Sequence, residues 1–477
     1  MIAELTLAIP EITLFALACV VLIVEAFNND PQHRLTYWAT QASLIITLIL
    51  VFIFWPEINS QVVFNGAFIS DAMSATLKAF ICAISIIVFL YSFEYLKEHQ
   101  SLKGEYFVLG LFAVLGMMIM SSAASLLSVY LGLELLSLSL YAMVAMQRDS
   151  ETASEAAMKY FILGALASGM LLYGISMIYG LTGHLELTEI AKAVSDESIE
   201  RSFLVFGTIF LIIGLAFKLG AAPFHMWVPD VYQGAPTSVT LFISTAPKLA
   251  AFAMTIRILV DGLLPLVSDW QSILMLLAVL SMGIGNIIAI AQTNIKRMLA
   301  YSTIAHVGYL FLGMIAGTEA GFSGSMFYII SYALMSLGGF GMIILLGRNG
   351  FEAEMLDDYK GLAERSPWFA FVMLCLMFSM AGIPPFLGFW SKWFVLKELV
   401  DAGFVTLAAV AVVFSIIGAY FYLRIVKLMY FDKAETMTAI KASQTMRAVL
   451  TANGMIVLLL GLAPDALMNL CISALSG

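Results

Sequence analysis

The stretch LAFKLGAAPFHMWVPDVYQGAP (residues 215–236) decides how this chain folds, because it places a lysine and a proline inside an apolar helix. The apolar run that begins at residue 201 continues through Phe217, so Lys218 lies in a segment long enough to span a membrane. Pro223 follows shortly after it. In the hydrocarbon region, a charge and a broken backbone are tolerated only where protein or water surrounds them. The stretch therefore predicts a broken membrane helix with a polar pocket at the break.

The composition of the whole chain agrees with a membrane location. Of its 477 residues, 61% are hydrophobic and 12% are charged, whereas a soluble domain is roughly 25% charged. The mean hydropathy is +0.97. Apolar runs of about 20 residues recur from end to end and leave no room for a soluble module. We expect one all-α polytopic membrane domain over residues 1–477, with a retained first helix rather than a signal peptide.

About 14 segments pass the length test for transmembrane helices, and the connections between them differ in charge. Loops after odd-numbered helices hold 14 basic residues, among them Lys296, Arg348 and Lys441. The opposite side holds 4, among them Arg257. The positive-inside rule therefore puts the odd-numbered loops in the cytoplasm and both termini on the periplasmic side.

Two prolines separated by 162 residues indicate an internal repeat. Pro223 and Pro385 each precede a phenylalanine, in PFHMW of helix 7 and PPFLGFW of helix 12. This spacing pairs helices 4–8 with helices 9–13, and two units of five helices must be inverted relative to each other. A simple kink at each proline is the alternative to a broken helix. The predicted units are residues 1–98 (helices 1–3), 104–262 (first five-helix repeat), 268–432 (second five-helix repeat) and 440–477 (helix 14).

Five lysines lie within the predicted helices, where each costs about 2.5–3.5 kcal/mol to insert. Lys218 and Lys392 accompany the two breaks, and Lys159 and Lys248 lie in helices 6 and 8, where they extend the path as a row. Lys78 lies near the start of helix 3, where its side chain either reaches the interface or stays in the interior. So many intramembrane cations indicate an ion or proton pathway.

Glu134 is the one ionisable residue of helix 5 and lies near its centre. A carboxylate alone in the membrane tends to take up a proton, but beside a lysine both groups keep their charge. Glu134 and Lys218 are therefore the natural pair, and moving the carboxylate away would release the proton of the lysine. His225 after the helix 7 break and His306 in helix 10 are placed to bridge between lysines through water. A hydrogen-bonded packing role is the alternative for each histidine.

Other chemistry is absent from the sequence. It contains no P-loop, no dinucleotide-binding glycine motif, no HExxH and no cysteine cluster. The chain therefore has no evident means of oxidising a substrate or hydrolysing a nucleotide, and we expect it to hold no cofactor, metal or nucleic acid. Uphill transport must then be driven by a partner or by the gradient of another ion.

Four stretches carry a resemblance to a known family. They are FKLGAAPFHMWVPDVYQGAPTSV (residues 217–239), QTNIKRMLAYSTIAHVGYL (residues 292–310), LELLSLSLY around Glu134, and MAGIPPFLGFWSKW in helix 12. Together they resemble the antiporter-like subunits of bacterial respiratory complex I (NADH-quinone oxidoreductase), which are similar to subunits of Mrp-type Na+/H+ antiporters. DVYQGAP and the helix 12 lysine are typical of the N-type branch of that family. The resemblance covers nearly the whole chain.

The resemblance implies roles for the charged residues. Glu134 is expected to pair with Lys218 and to set when that lysine releases its proton. Lys248 is expected to pass the proton along the central polar axis of the membrane, and Lys392 to connect to the far side. Lys159 matches a further lysine of the family.

The resemblance also implies a location and partners. The chain is expected in the bacterial inner membrane, beside sister antiporter-like subunits and a peripheral redox arm. FMN, iron–sulfur clusters and quinone are expected in those partner subunits. The predicted function is proton translocation within a redox-driven NADH-quinone oxidoreductase, so the chain is an enzyme only as part of that complex.

Two alternatives remain at this stage. In a subunit of an Mrp-type cation/proton antiporter, the same lysines would serve exchange driven by an ion gradient. In a structural membrane scaffold, the polar residues would only lock helices together, and Lys218→Met would be harmless.

Overall fold

The computed structural model describes residues 2–56, 60–196, 199–347, 351–434, 440 and 442–476. Two basic residues counted for the membrane orientation, Arg348 and Lys441, lie outside the described residues. The fold is almost wholly helical because a helix satisfies its own backbone polar groups, as the hydrocarbon region requires.

The first half of the chain contains long helices and one short hairpin. The helices are α1 Ile2–Leu7, α2 Ile9–Ala26, α3 Arg34–Ile53, α4 Ala72–Glu98, α5 Glu105–Ser121, α6 Leu126–Val144, α7 Glu151–Thr182, α8 Leu187–Val194 and α9 Arg201–Leu219. The hairpin, β1 Gln61–Val63 and β2 Phe68–Ser70, is antiparallel and places Val62 opposite Ile69.

The second half alternates short and long helices. They are α10 Trp227–Gly234, α11 Thr237–Ile243, α12 Ala246–Ile256, α13 Val267–Ile290, α14 Ile295–Ala316, α15 Glu319–Leu346, α16 Leu362–Arg365, α17 Pro367–Ala381, α18 Leu387–Asp401, α19 Val405–Phe431, α20 Gln444–Leu462 and α21 Pro464–Leu475. A π-helical turn, Arg257–Gly262, continues α12, and 3-10 turns form at Leu264–Leu266 and Leu356–Tyr359.

Within the described residues, 12 helical segments are long and apolar enough to cross a membrane. Shorter apolar helices, α5, α17 and α21, accompany them. The predicted all-α polytopic membrane fold is therefore confirmed. The count of 14 transmembrane helices and the inverted repeats stay predictions.

The chain leaves the helix at both predicted breaks. Residues 220–226 separate α9 from α10, and residues 382–386 separate α17 from α18, so neither proline produces a simple kink. Each break contains a cis peptide bond, before Pro223 and before Pro385. The structure also interrupts helix 8 between α11 and α12, just before Lys248. No proline-phenylalanine motif indicates this further interruption.

The centre of the molecule is formed by α12, α14 and α15. The apolar stretches of α12 and α15 are wholly buried, and that of α14 is 94% buried. A helix that is apolar on all sides belongs in such a position. By contrast, α2, α3, α7 and α19 present large apolar side chains outward. Polar groups on α12 and α14 therefore lie deep inside the protein.

Alternate loops meet on opposite faces of the molecule. The loops that follow α6, α10, α13 and α15 line one polar cavity, and we call this side the cavity face. On the other side, the hairpin pairs with the end of α5 through Phe68 and Ala123, and Ser125 pairs with Glu186 before α8. We call that side the hairpin face. The alternation is what a chain that crosses the membrane repeatedly produces.

Candidate functional site

The first helix break begins at a glycine that turns the chain back across the end of α9. Gly220 has φ +86°. The N–H of Gly220 bonds to the Phe217 carbonyl at 3.0 Å and that of Ala221 to the Ala216 carbonyl at 2.7 Å, which is the Schellman arrangement. A Cβ at this position would come within 2.7 Å of the Val228 side chain. Glycine is therefore required here. Lys218 lies in the turn that precedes it and is 7% exposed.

The second break repeats the same local structure. Gly382 has φ +85°, and the N–H groups of Gly382 and Ile383 bond to the Phe378 carbonyl at 3.1 and 3.0 Å. Gly382 follows Gly220 by 162 positions, which is also the spacing of the two Pro-Phe motifs. The same chemistry thus ends both half-helices inside the protein.

Lys218 contacts a hydroxyl group rather than a carboxylate. Its ammonium donates to Ser137 Oγ of α6 at 2.9 Å. Glu134 lies one turn earlier on the same face of α6, and its carboxylate accepts a hydrogen bond from Ser168 of α7. Lys218 thus contacts α6 at Ser137, one turn from Glu134, with no direct ion pair between the two described side chains of the predicted pair. The Ser137 hydroxyl itself donates to the Leu133 carbonyl at 2.7 Å. The three-residue spacing of Glu134 and Ser137 was the available signal for Ser137.

Lys248 lies against the end of the first half-helix. Its ammonium donates to the Leu219 carbonyl at 2.8 Å and lies 5.3 Å from the centre of the Trp227 ring. The Trp227 indole N–H in turn donates to the Phe217 carbonyl at 2.9 Å, which ties α10 to α9 across the break. Lys248 is 1% exposed. Lys248 contacts Leu219, the residue that follows Lys218 in the chain. The positive charges of the two lysines therefore repel each other.

Lys392 occupies the corresponding place at the second break. Its ammonium donates to the Ala381 carbonyl, the last residue of α17, at 2.9 Å. It also donates to Ser415 Oγ of α19 at 2.9 Å and lies 5.0 Å from the centre of the Tyr309 ring. A Cβ at Gly382 would come within 3.1 Å of the Lys392 nitrogen, so this glycine also makes room for the lysine.

The three buried lysines share one kind of environment. Lys248 and Lys392 contact carbonyls at the carboxyl ends of half-helices, where the helix dipole places about half a negative charge. Among the described residues, none of the three forms an ion pair with a carboxylate. Carbonyl and hydroxyl oxygens stabilise an ammonium less than a carboxylate does. The site therefore holds each lysine as a cation from which a proton can be removed.

The two histidines of the prediction do not bridge lysines directly. His306 of α14 has Nδ1 2.7 Å from the Tyr328 hydroxyl and Nε2 3.1 Å from the Tyr422 hydroxyl. The Tyr422 hydroxyl is 2.5 Å from Ser302 Oγ. His225 lies half-buried in the first break, and its Nδ1 has no hydrogen-bond partner in the part of the chain that the structure describes. His306 thus belongs to a network of buried hydroxyl groups.

Lys159 lies apart from the buried row, at the polar cavity of about 400 Å³ that defines the cavity face. Its side chain is 42% exposed and pairs with Glu155 at 2.8 Å and with Asp230 of α10 at 2.7 Å. Asp230 also pairs with Arg297 of α14 at 2.8 Å. One aspartate therefore joins the outer half of the broken helix to both α7 and α14.

Lys296 lines the cavity but is itself buried. Its ammonium donates to the Ala235 carbonyl, just after α10, at 2.9 Å and to Glu354 at 3.0 Å. The count of basic loop residues treated Lys296 as part of a loop, and the structure corrects this, since the residue is 1% exposed. The compensating Glu354 comes from a distant loop, which hydropathy along the chain does not reveal.

The same correction applies to Arg257 on the hairpin face. This residue is 2% exposed and pairs with Asp71 at 2.8 Å and Asp261 at 2.9 Å. It also donates to the Ser121 carbonyl at the end of α5, at 3.0 Å. The carboxylates allow an apparent loop arginine to lie inside the protein.

Lys78 stays in the interior rather than reaching the interface. Its nitrogen lies 2.5 Å from the Glu11 carboxylate of α2, and both side chains are less than one-tenth exposed. Its nitrogen also lies 5.0 Å from the centre of the Phe68 ring in the hairpin. Glu11 was not predicted as its partner, because a lone acid near the chain start carries no spacing signal.

Comparisons with known proteins give one consistent result. The NADH:quinone oxidoreductase/Mrp antiporter transmembrane family matches residues 123–418. A relative from Thioalkalivibrio sulfidiphilus, named NADH-quinone oxidoreductase subunit N, is 56% identical over 98% of this chain and 98% of its own length.

Solved structures resemble the fold over its full length. A chain of respiratory complex I from Thermus thermophilus, solved with bound aureothin, matches with a TM-score of 0.83 and 30% identity, over 98% of this chain and 100% of that chain. A chain of the Mrp complex from Dietzia sp. DQ12-45-1b matches with a TM-score of 0.87 over 99% of this chain and 97% of that chain. Its identity is 21%, so it shows the fold alone.

Proposed function

This chain belongs to the NADH:quinone oxidoreductase/Mrp antiporter family of membrane subunits, and on that premise we propose that it moves protons through its buried lysines as the antiporter-like subunit N of an NADH-quinone oxidoreductase. The resemblance that the sequence motifs carried is thereby confirmed. The chain is a multi-pass membrane protein that assembles with other membrane subunits of a multi-subunit complex.

One observation carries the proposed mechanism. Lys248 and Lys392 are buried on the carbonyls that end two half-helices, and neither contacts a described carboxylate. A buried cation without a counter-ion is expensive. Small changes in nearby charge therefore decide whether it keeps its proton, which is the property that a proton-transfer group needs.

The proposed path begins with Glu134 and Lys218. Lys218 donates to Ser137 Oγ, one turn from Glu134 on α6, so a displacement of Glu134 changes the charge around that ammonium. The proton leaves Lys218 and reaches Lys248, which contacts Leu219 beside it. Repulsion between the two ammonium groups favours a state in which only one of them is charged.

The remaining residues extend the path towards Lys392. The hydroxyl network around His306 lies between α14 and α19, and α19 supplies the Ser415 partner of Lys392. The His225 ring lies in the first break, where bound water can complete its hydrogen bonding. Lys159 does not pass protons in this account, because it is paired with two carboxylates at the cavity. At the cavity, its ion pairs hold the Glu155 and Asp230 carboxylates in place at the proposed entrance for protons.

The cavity face is the proposed side of proton uptake. The loops that line it are those that the distribution of basic residues assigns to the cytoplasm, so both termini lie on the periplasmic side of a bacterial inner membrane. FMN, iron–sulfur clusters and quinone belong to the partner subunits, which include sister antiporter-like subunits and the peripheral redox arm. This chain supplies the proton path and no redox centre.

The test is to purify the complex with Lys218→Ala, reconstitute it in liposomes, and measure proton uptake together with NADH oxidation. We expect slower pumping and a slower coupled oxidoreductase rate in a fully assembled complex, and the same from Glu134→Ala. Lys192→Ala is the matched control, since Lys192 is exposed and its ion pair among the described residues is with Glu189 on its own helix. Normal pumping by an assembled Lys218→Ala complex would refute the assignment.

The Mrp-type antiporter is the second candidate, because the fold matches the Mrp complex equally well. It predicts sodium-dependent proton flux in liposomes without any redox substrate. The proposed function predicts no such flux, and mass spectrometry of the purified assembly then identifies flavin and iron–sulfur subunits.

A further inference from the structure

Helix α4 carries a polar residue at every seventh position along its length. Asp71, Lys78, Ser85, Ser92 and His99 follow one another at this spacing. Seven residues make nearly two full turns, so the five side chains lie on one face of the helix. At 1.5 Å per residue, the stripe spans roughly 40 Å, about the thickness of a bilayer with its headgroups. We call these five residues the α4 stripe.

The two ends of the α4 stripe reach the two faces of the molecule. His99 Nε2 lies 3.5 Å from Glu352, and Glu352 lines the polar cavity. At the other end, Asp71 pairs with Arg257 on the hairpin face. The stripe therefore connects the two sides of the membrane along a helix that carries none of the residues of the lysine row.

The middle of the α4 stripe contains groups without protein partners. Ser85 is fully buried, and its hydroxyl has no hydrogen-bond partner in the described part of the chain. Some buried serines here, such as Ser121 and Ser139, bond to the carbonyl four residues back, whereas Ser85, like Ser122, Ser331 and Ser336, does not have a partner among the described residues. Apart from the Lys78 contact, both Glu11 oxygens also lack a hydrogen-bond partner among the described residues. Buried polar atoms left in this way are normally satisfied by ordered water.

The neighbourhood of Ser92 continues the pattern. Its hydroxyl lies 2.8 Å from the Tyr106 hydroxyl. The Tyr106 hydroxyl also lies 3.1 Å from the Ser238 carbonyl, and its single proton is donated to one of the two. The Ser238 and Tyr91 hydroxyls are buried and have no partner in the described residues. Hydroxyls without a hydrogen-bond partner among the described residues therefore lie both on α4, at Tyr91, and on the neighbouring α11, at Ser238.

The distance between neighbouring members of the α4 stripe determines how many water molecules must lie between them. Successive members of the α4 stripe are separated by roughly 10 Å along the helix axis, whereas a hydrogen bond between oxygen atoms spans about 2.8 Å. About three water molecules are therefore needed between neighbouring members.

We propose that the α4 stripe lines a second, hydrated proton path across the membrane, separate from the lysine row and gated by the Lys78–Glu11 pair. This rests on the proposed function of the chain as a proton translocator. A proton crosses the pair when it moves from Lys78 Nζ to a Glu11 carboxylate oxygen, which leaves a neutral amine and a neutral acid. A proton arriving through water from Ser85 restores the ammonium, and Glu11 releases its proton towards the hairpin face. While Lys78 stays charged, its positive charge repels protons and keeps the path closed.

Hydration of the α4 stripe is tested with silver ions, which are close to water in size and react with thiols. In the intact complex, the native cysteines Cys19, Cys82, Cys375 and Cys471 are first replaced by alanine, and Ser85→Cys is then introduced. We expect its thiol to react at least about tenfold faster than that of Ala83→Cys, because the reactive thiolate requires surrounding water. Ala83 lies two positions earlier and points to another side of α4. Equal rates, or no reaction at Ser85→Cys, would overturn the proposal.

Proton movement is tested with matched substitutions in reconstituted complex. Ser85→Val removes the hydroxyl and fills the gap, so we expect fewer protons moved per NADH oxidised. Ser85→Thr keeps a hydroxyl and is expected to lose less pumping than Ser85→Val, whereas Ala83→Val on the other side of the helix is expected to retain wild-type pumping. An equal loss in Ser85→Val and Ala83→Val would assign the effect to packing and contradict the path.

The two proposals fail separately. Normal pumping by Lys218→Ala would refute the proposed proton path through the lysine row. It would not change the expected silver reaction at Ser85→Cys. If Ser85→Cys does not react with silver while Lys218→Ala still impairs pumping, only the proposed α4 path is refuted.

Discussion

Lys248 and Arg257 lie on one continuous helical segment, are both almost fully buried, and are held in different ways. Both donate to a carbonyl at the end of a helix, that of Leu219 for the lysine and that of Ser121 for the arginine. Arg257 also has two carboxylates, whereas Lys248 has an aromatic ring and no described carboxylate. The same helix-end carbonyl thus supports two different kinds of buried cation.

The difference shows how a protein separates a permanent charge from a transferable one. Arginine keeps its proton under all physiological conditions, and two acids fix that charge in place. Lysine can lose its proton, and the absence of a carboxylate brings its charged and neutral forms closer in free energy. In this account, the hairpin face is held by fixed ion pairs, and the midplane contains the groups that exchange protons.

The largest expected effect is the loss of the complex after Arg257→Leu. Removing the arginine leaves Asp71 and Asp261 without their counter-ion, and breaking a buried ion pair costs about 3–5 kcal/mol. The amount of this chain in the assembled complex, measured on native gels, should fall sharply. Arg201→Leu is the control, because Arg201 forms an exposed pair with Asp269, which is worth about 0–1 kcal/mol. Equal assembly of the two variants would contradict the assignment of Arg257 as a fixed charge.

Lys392→Met should have the opposite outcome, with normal assembly and impaired proton transfer. An apolar side chain of similar length removes a buried cation that no carboxylate compensates, so stability is unchanged or higher. The step that needs the lysine proton should slow by about 100-fold or more. Proton uptake by liposomes with the purified complex provides the measurement. A complex that fails to assemble would show that Lys392 is as structural as Arg257.

Gly382→Ala sharpens the comparison at the second helix break. The new Cβ would lie 2.9 Å from Lys392 Cδ and 3.1 Å from its nitrogen, so the lysine must move away from the Ala381 carbonyl. We expect several-fold slower pumping, beyond the strain of about 1–2 kcal/mol that a positive φ costs alanine. Gly403→Ala is the matched control, because Gly403 has φ +91° but its new methyl group would meet no atom within 4 Å among the described residues. Similar pumping by both variants would show that Gly382 does not act on pumping through the position of Lys392.

The smallest effect is expected for Ser137→Ala, which removes the hydroxyl that accepts the hydrogen bond of Lys218. Pumping should fall by a few-fold, because a hydrogen bond to a charged group contributes about 1.5–3 kcal/mol and part of it is replaced by water. Ser139→Ala is the comparison, since the side-chain hydrogen bond of Ser139 within the described part of the chain is to the Leu135 carbonyl of its own helix. If Ser139→Ala slows pumping as much, the loss reflects α6 itself and not the link to Lys218.

The sequence alone predicted the features that depend on local chemistry. Apolar runs gave the helical membrane fold, and Lys218 with Pro223 indicated a break where the structure has one. The prediction that Lys218 pairs with Glu134 came from charge balance. Lys218 contacts Ser137, one turn from Glu134 on α6, and the pair itself stays a prediction. These inferences succeeded because proline and buried charge act on the chain within a few residues of themselves.

The features that were missed depend on contacts between distant segments. Arg257 and Lys296 looked like loop residues until Asp71 and Glu354 were placed beside them. Lys159 was predicted to extend the row, and its ion pair with Asp230 on another helix at the cavity was not predicted. The seven-residue spacing of the α4 stripe is visible in the sequence. It indicates a hydrated path only together with the structural finding that the Ser85 hydroxyl has no hydrogen-bond partner among the described residues.

Lys248→Arg tests the central claim most directly, because arginine keeps the positive charge but cannot release a proton. Proton uptake and NADH oxidation should be measured together in liposomes containing the assembled complex, with Lys159→Arg as the control at an ion pair that needs only charge. We expect Lys248→Arg to pump slowly and Lys159→Arg to pump normally. Normal pumping by Lys248→Arg would show that the buried lysines act only through their charge and do not release protons.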